Sequence, residues 1–231
     1  MDKPIGIFDS GIGGVTVLKE IKKILPYEDI IYFGDIARSP YGSKSESLVV
    51  KYSNQALSFL LSQNVKLVVI ACNTASSVAI PSLSQRFSYI IDVIEPAVSE
   101  AIKFGKTIGV IGTRRTIASS IYQKKIARKG LKVIAKACPL FVSLVEEGWC
   151  DRRKKKEERR KNEIAKMITE EYLKELKGEI DVLILGCTHF EKKEELRKKL
   201  KDFREMIGEP RKKMKDAAKR ISSIQIEIED A

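Results

Sequence analysis

Two stretches of this chain occur twice. IGIFDS at residues 5–10 returns as IGVIGT at 108–113, and LVVIACNT at 67–74 returns as DVLILGCT at 181–188. The first pair is 103 residues apart, and the second, measured from Cys72 to Cys187, is 115 residues apart. Each stretch is a short apolar run that stops at small polar residues, the pattern of a strand covered on both faces. Two such strands repeated in the same order restrict the chain to two like units, as internal duplication produces.

Between the runs, strand-like and helix-like segments alternate. Strands are expected at 5–8, 29–42 (running into a polar loop), 65–75 (strand and its exit), 89–96, 107–116 (running into a polar turn), 131–139 and 179–190 (ending in a cysteine). Helical periodicity covers 15–25, 46–64, 118–130, 141–149 and 161–178, with a short helix beginning at 80. This alternation predicts an α/β fold of two similar parallel-sheet domains with the active site in the cleft between them. The boundaries expected are 1–97 for the first domain, 98–190 for the second and 191–231 for a charged helical tail.

With 231 residues, 43% of them hydrophobic, the chain can bury a substantial core. No apolar run reaches the roughly 18 residues of a membrane span, and the beginning, MDKPIGIFDSG, lacks a signal-peptide pattern. A soluble, cytoplasmic protein is expected, with no membrane partner. The formal charge of +12 is concentrated in 151–161, net +5, and 191–220, net +6. Neither segment interleaves aromatic residues with its basic ones, so nucleic acid is not the expected partner and both read as solvated faces. An inert scaffold or nucleic-acid-associated protein that uses them as its working surface is the alternative from another class.

Four cysteines occur, Cys72, Cys138, Cys150 and Cys187, without a C-x-x-C pair, and His189 is the one histidine. That pattern suggests neither a redox dithiol nor a zinc site. DSGIGG fails both the G-x-G-x-x-G and the G-K-[ST] patterns. Cys138 and Cys150 read as small buried hydrophobes. Cys72 and Cys187 differ, because each ends a strand and is followed by polar residues, Asn73–Thr74 and Thr188–His189. In an open parallel sheet, ligands bind beyond the carboxyl ends of the strands. Two matched weak acids facing one another suit inversion at a carbon: one thiolate removes a proton from one face and the other thiol returns one to the opposite face. Asn73, Thr74 and Thr188 are placed to offer donors to a carboxylate. Asp9 is placed to orient an ammonium group or assist one cysteine, with His189 and Glu147 doing the same for the other.

The stretches IGIFDSGIGGVTVL, YFGDIARSPYG, VIACNTASSVA, IGVIGTRRTIASSIY, ACPLFVSLVEEG and LILGCTHF closely resemble the glutamate racemase family, over residues 4–149 and 163–190. The resemblance implies interconversion of L- and D-glutamate for peptidoglycan, without cofactor or metal, in a cytoplasmic protein for which a homodimer is the expected assembly. It implies Cys72 and Cys187 as the two bases, Asp9 near the first, and Glu147 and His189 assisting the second. Substrate contacts are implied for Asp9, Ser10, Asp35, Pro40, Tyr41, Gly42, Asn73, Thr74, Thr113, Thr116 and Thr188. A related aspartate or hydantoin racemase is the alternative enzyme, and the SPYG stretch speaks against it.

The resemblance ends after Phe190, where Glu191 opens a charged tail in the position of the segment that in this family returns to the first domain. An incomplete or less stable first domain and reduced or absent activity are the expectation that follows.

Overall fold

The computed structural model describes residues 3–149 and 159–191. The basic segments and the tail lie outside the described residues except for 159–161 and 191, and Cys150 lies outside them too.

The central strand of the first unit, β1 (Ile5–Asp9), is buried at every position. It pairs in parallel with β2 (Ile30–Gly34) and β3 (Leu67–Ile70), and β3 pairs with β4 (Ile90–Asp92), giving the order β2-β1-β3-β4. Successive side chains on a strand point to opposite faces. Ile5, Ile7, Leu67 and Val69 therefore meet Val17 and Ile21, which lie four apart on one face of α1 (Val15–Ile24). Phe8, Val68 and Ile70 meet Val49, Ala56, Leu57 and Leu60 of α2 (Glu46–Ser62) on the other face. Each such fully buried large apolar side chain contributes about 1.5–3 kcal/mol relative to exposure. Two short helices, α3 (Asn73–Val78) and α4 (Ile80–Ser84), follow β3.

The second unit repeats the plan. Its central β5 (Thr107–Gly112) pairs in parallel with β6 (Lys132–Ala137) and β7 (Val182–Gly186), in the order β6-β5-β7. The register is the same in both sheets: Ile5 pairs with Leu67 as Ile108 pairs with Val182. Cys72 and Cys187 each lie five residues beyond those paired positions, so they are equivalent in the two units. Ile108, Val110, Val182 and Ile184 pack on α5 (Ile94–Ala101) and α7 (Ile121–Ala127). Ile111 and Leu183 pack on the opposite side with Phe141, Leu144 and Val145 of α8 (Leu140–Glu146), and with Ala165 and Leu173 of α9 (Arg159–Leu173).

Three elements differ from the sequence expectation. The strand expected over 89–96 stops at Asp92, and α5 begins at Ile94, because the Asp92 carboxylate accepts from the backbone N–H groups of Ile94 and Glu95. The polar turn expected at the end of 107–116 holds α6 (Arg114–Ala118), capped by the Thr113 hydroxyl, and the helix expected over 118–130 forms as α7, the two separated at Ser120 with φ 57°. The helix expected over 161–178 closes at Leu173 and continues as turns to Gly178. Ile94, Val98 and Ala101 of α5 belong to the core of the second unit, so in packing terms that unit starts at Ile94.

The units meet closely. A Cβ on Gly42 would fall 2.5 Å from the Thr113 side chain, so a glycine is needed for the loop at 41–43 to lie against β5's exit. Arg115 Nε donates to the Lys44 carbonyl oxygen at 3.2 Å across the same seam.

Candidate active site

One cleft receives the strand exits of both units. Its lining comprises Ser10, Pro40, Tyr41, Gly42, Cys72, Asn73, Thr74 and Thr113, with Val142, Cys187, Thr188 and His189 closing the other side. The space between these residues is narrow and partly open to solvent.

Cys72 is the residue before α3, and its sulfur is held from two directions. Its thiol donates to Ser10 Oγ at 3.2 Å, and the Ala75 N–H donates to Sγ at 3.5 Å. Burial pushes the thiol up to about 11, and the charge of Asp9 adds to this, against the lowering effect of those two hydrogen bonds. Asp9 itself is fully buried at the end of β1. Its Oδ2 accepts from Gly14 N at 2.9 Å and Gly11 N at 3.3 Å, whereas Oδ1 takes no partner among the described residues.

Cys187 follows β7 directly. Burial also raises this thiol above its ordinary range, the N–H of His189 opposes the rise, and the charges of Cys72 and Asp9 add to it. The two sulfurs therefore sense one another, and ionising one makes ionising the other harder. His189 places Nδ1 3.7 Å from Cys187 Sγ and Nε2 3.0 Å from Glu146 Oε1. A carboxylate can only accept, so Nε2 carries a proton, and in the neutral ring Nδ1 faces the thiol as an acceptor.

Three hydroxyls close the seam above the sulfurs. Thr74, Thr113 and Thr116 lie within 2.9–3.3 Å of one another, Oγ1 to Oγ1. Thr74 and Thr113 line the cleft; Thr116 is wholly buried behind them. Beside them, in the loop that Gly42 lays against Thr113, Tyr41 donates its hydroxyl to Asp35 Oδ2, and Arg38 Nε lies 2.7–3.0 Å from the same carboxylate. Arg38 also stacks over Tyr52.

Of the sequence-derived site residues, the structure brings Ser10, Pro40, Tyr41, Gly42, Cys72, Asn73, Thr74, Thr113, Cys187, Thr188 and His189 to the cleft wall. Asp35 and Thr116 stand one layer behind it, hydrogen-bonded to Tyr41 and Thr74, and Asp9, which precedes Ser10 in the chain, is near enough for its charge to act on Cys72. Glu147 is exposed at the end of α8, and the carboxylate that reaches His189 is its neighbour Glu146. Sequence reasoning missed Glu146 and Val142. Helical spacing contained the signal: Val142 and Glu146 lie four apart and share a face, whereas Glu147 shares its face with exposed Ser143.

Two like α/β units, each bringing one buried thiol to a common cleft, define an isomerase of the two-base kind. A family model for Asp/Glu/Hydantoin racemase matches residues 5–204. The glutamate racemase of Aquifex aeolicus (strain VF5) is 50% identical over 189 residues, covering 80% of this chain and 70% of that protein. The glutamate racemase of Aquifex pyrophilus is 48% identical over 202 residues, covering 86% and 74%. Among solved structures, the glutamate racemase of Francisella tularensis subsp. tularensis SCHU S4 in complex with D-glutamate superposes with a TM-score of 0.81 at 37% identity, covering 99% of this chain and 82% of that one. The chain belongs to the Asp/Glu/hydantoin racemase family, within its glutamate racemase branch. The aspartate racemase of Picrophilus torridus, at 18% identity and a TM-score of 0.56, shares the fold.

Proposed function

We infer that this chain interconverts L- and D-glutamate by proton transfer at the α-carbon, supplying D-glutamate for peptidoglycan. The observation that carries the reading is the placement of Cys72 and Cys187 at equivalent strand exits, both lining one cleft. One sulfur, as thiolate, takes the α-proton, and the other, as thiol, delivers a proton to the opposite face. The roles exchange for the reverse reaction. Mutual repulsion between the sulfurs disfavours the doubly ionised pair, so that once one is a thiolate the other stays a thiol, one base and one acid at once.

A buried thiol raised to about 11 is a poor source of thiolate near neutrality. The ammonium group of an amino acid supplies what is needed. Placed near Asp9 and the sulfurs, its positive charge lowers the cost of a thiolate there. Ser10 and Asp9 act on Cys72, and His189, held by Glu146, accepts the Cys187 proton. Asn73, Thr74, Thr113 and Thr188 meet a carboxylate and, with it, the charge that develops as the α-proton leaves. The loop of Pro40, Tyr41 and Gly42, braced by Asp35, faces the side-chain carboxylate, while Thr116 holds the two lining threonines in place.

Six solved glutamate racemases share 27–42% of aligned positions with this chain, against 18% for an aspartate racemase and an aspartate racemase homologue of like fold, which favours glutamate over aspartate. The family resemblance further implies a cytoplasmic homodimer. Among the described residues no helix is long and apolar enough to cross a membrane.

Incubation with L-glutamate in deuterated water tests the reading. The α-proton signal is expected to disappear as optical rotation falls to zero. Cys72→Ser and Cys187→Ser each abolish turnover; an unaltered rate in either variant refutes the two-sulfur mechanism.

A further inference from the structure

Tyr122 does not line the cleft, yet it touches the neighbours of both sulfurs. It belongs to α7 of the second unit, is 0% exposed, and packs with Ile108, Val110, Val182 and Ile184. Its ring edge lies against Gly186, where an added Cβ would sit 3.4 Å from Cε2. Gly186 immediately precedes Cys187. The phenol reaches the other unit and donates to Asn73 Oδ1 at 2.6 Å, and Asn73 immediately follows Cys72.

An asparagine amide has an accepting branch and a donating branch. With Oδ1 bound to the phenol, the amide is fixed with Nδ2 on its other branch. Asn73 lines the cleft, and its Nδ2 takes no protein partner among the described residues. A carboxylate only accepts hydrogen bonds, so an amide turned the other way would set oxygen against oxygen. Burial of both groups makes the fixed orientation strong, since a lone buried amide oxygen is costly.

We propose that Tyr122 is a positioning residue for racemisation: it holds the Asn73 amide with its donor toward the ligand carboxylate, in register with the strand end that carries Cys187. This rests on the reading of the cleft as a glutamate site. Tyr122 neither touches the ligand nor moves a proton.

Tyr122→Phe keeps the ring and removes the one oxygen. It is expected to raise KM for both enantiomers about tenfold while kcat stays within about threefold. In an Asn73→Ala background the same change is expected to add nothing, because the group it positions is gone. A KM within about twofold of wild type, or effects that simply multiply in the double variant, overturns the proposal. The side-chain amide resonances of Asn73 in 15N-labelled protein, assigned by their loss in Asn73→Ala, give a reading independent of turnover. They are expected to shift in Tyr122→Phe, and unchanged resonances also overturn the proposal. Failure of the wild-type protein to racemise glutamate would instead refute the glutamate reading, leaving those resonances to decide the role of Tyr122.

Discussion

A methyl group on Gly13 would lie 2.3 Å from the hydroxyl oxygen of Thr188 and 2.7 Å from its Cβ. The first loop of one unit thus leans directly on the residue that follows the sulfur of the other. Gly13→Ala must displace Thr188, and Cys187 with it, because the contact is with Cβ and backbone rather than with the far end of a flexible chain. A shift of about 1 Å in a reacting group can cost about a hundredfold in rate. We expect kcat/KM to fall by about that factor with the far-ultraviolet circular dichroism unchanged. An activity within a few-fold of wild type would mean that the seam yields without moving the sulfur.

The two neighbouring acids of α8 should separate cleanly. Glu146→Gln keeps the length of the side chain but removes the charge that fixes the His189 tautomer, and we expect kcat/KM to drop about 10–100-fold. Glu147→Gln alters an exposed helix end and is expected to change it less than about twofold. Enantiomers have equal free energy, so both directions must fall together in kcat/KM. Initial rates from pure L- and pure D-glutamate give the check. A larger loss in the Glu147 variant would show that His189 draws on the other carboxylate.

Both sheets were readable because their central strands are continuous apolar runs, and the repeat of those runs carried the common register of Ile5 with Leu67 and Ile108 with Val182. The sulfurs were readable because a strand exit that turns polar is where an open parallel sheet binds ligands. What failed was local. The run at 89–96 looks like one strand because Ile94 continues its apolar character, yet Asp92 with Glu95 three residues on carries the spacing of a helix start, and Pro96 suits a first turn. Glu146 was missed for Glu147 because adjacent acids are distinguished only by the face on which the helix presents them. Tyr122 could not be found from the sequence at all, since its bond to Asn73 joins residues 49 apart in different units.

Cys138 is buried in the core of the second unit beside Phe141 and Leu183, away from the cleft lining. Its thiol is pushed up to about 12 by burial, so it behaves as a small hydrophobe. Cys138→Ser places a hydroxyl in that core and is expected to cost about 1–3 kcal/mol of stability. Turnover by the folded protein should stay within about twofold of wild type. Chemical denaturation and initial rates measured on the same preparation check this. Lost turnover in a folded variant would bring Cys138 into the reaction.

Stability should fall as the medium turns alkaline, and the sign follows from the buried thiols. Burial raises Cys72 to about 11 and Cys138 to about 12, and holds Cys187 above its ordinary range as well. In the unfolded chain a cysteine titrates near about 8.5. Between that value and the folded ones the native protein keeps protons that the unfolded chain has released, so each unit of rising pH favours unfolding. The contribution is complete below about pH 8.5 and is lost as the pH climbs through the folded values. Tyr32 and Tyr41, raised chiefly by burial, steepen the decline above their ordinary range. Thermal midpoints taken from pH 7 to pH 11 should be level at first and then drop, with a shallower drop in Cys72→Ser and Cys138→Ser. A midpoint that stays level to pH 11 would mean that these thiols meet solvent in the folded protein, and the dry, mutually repelling pair assigned to the cleft would have to be abandoned.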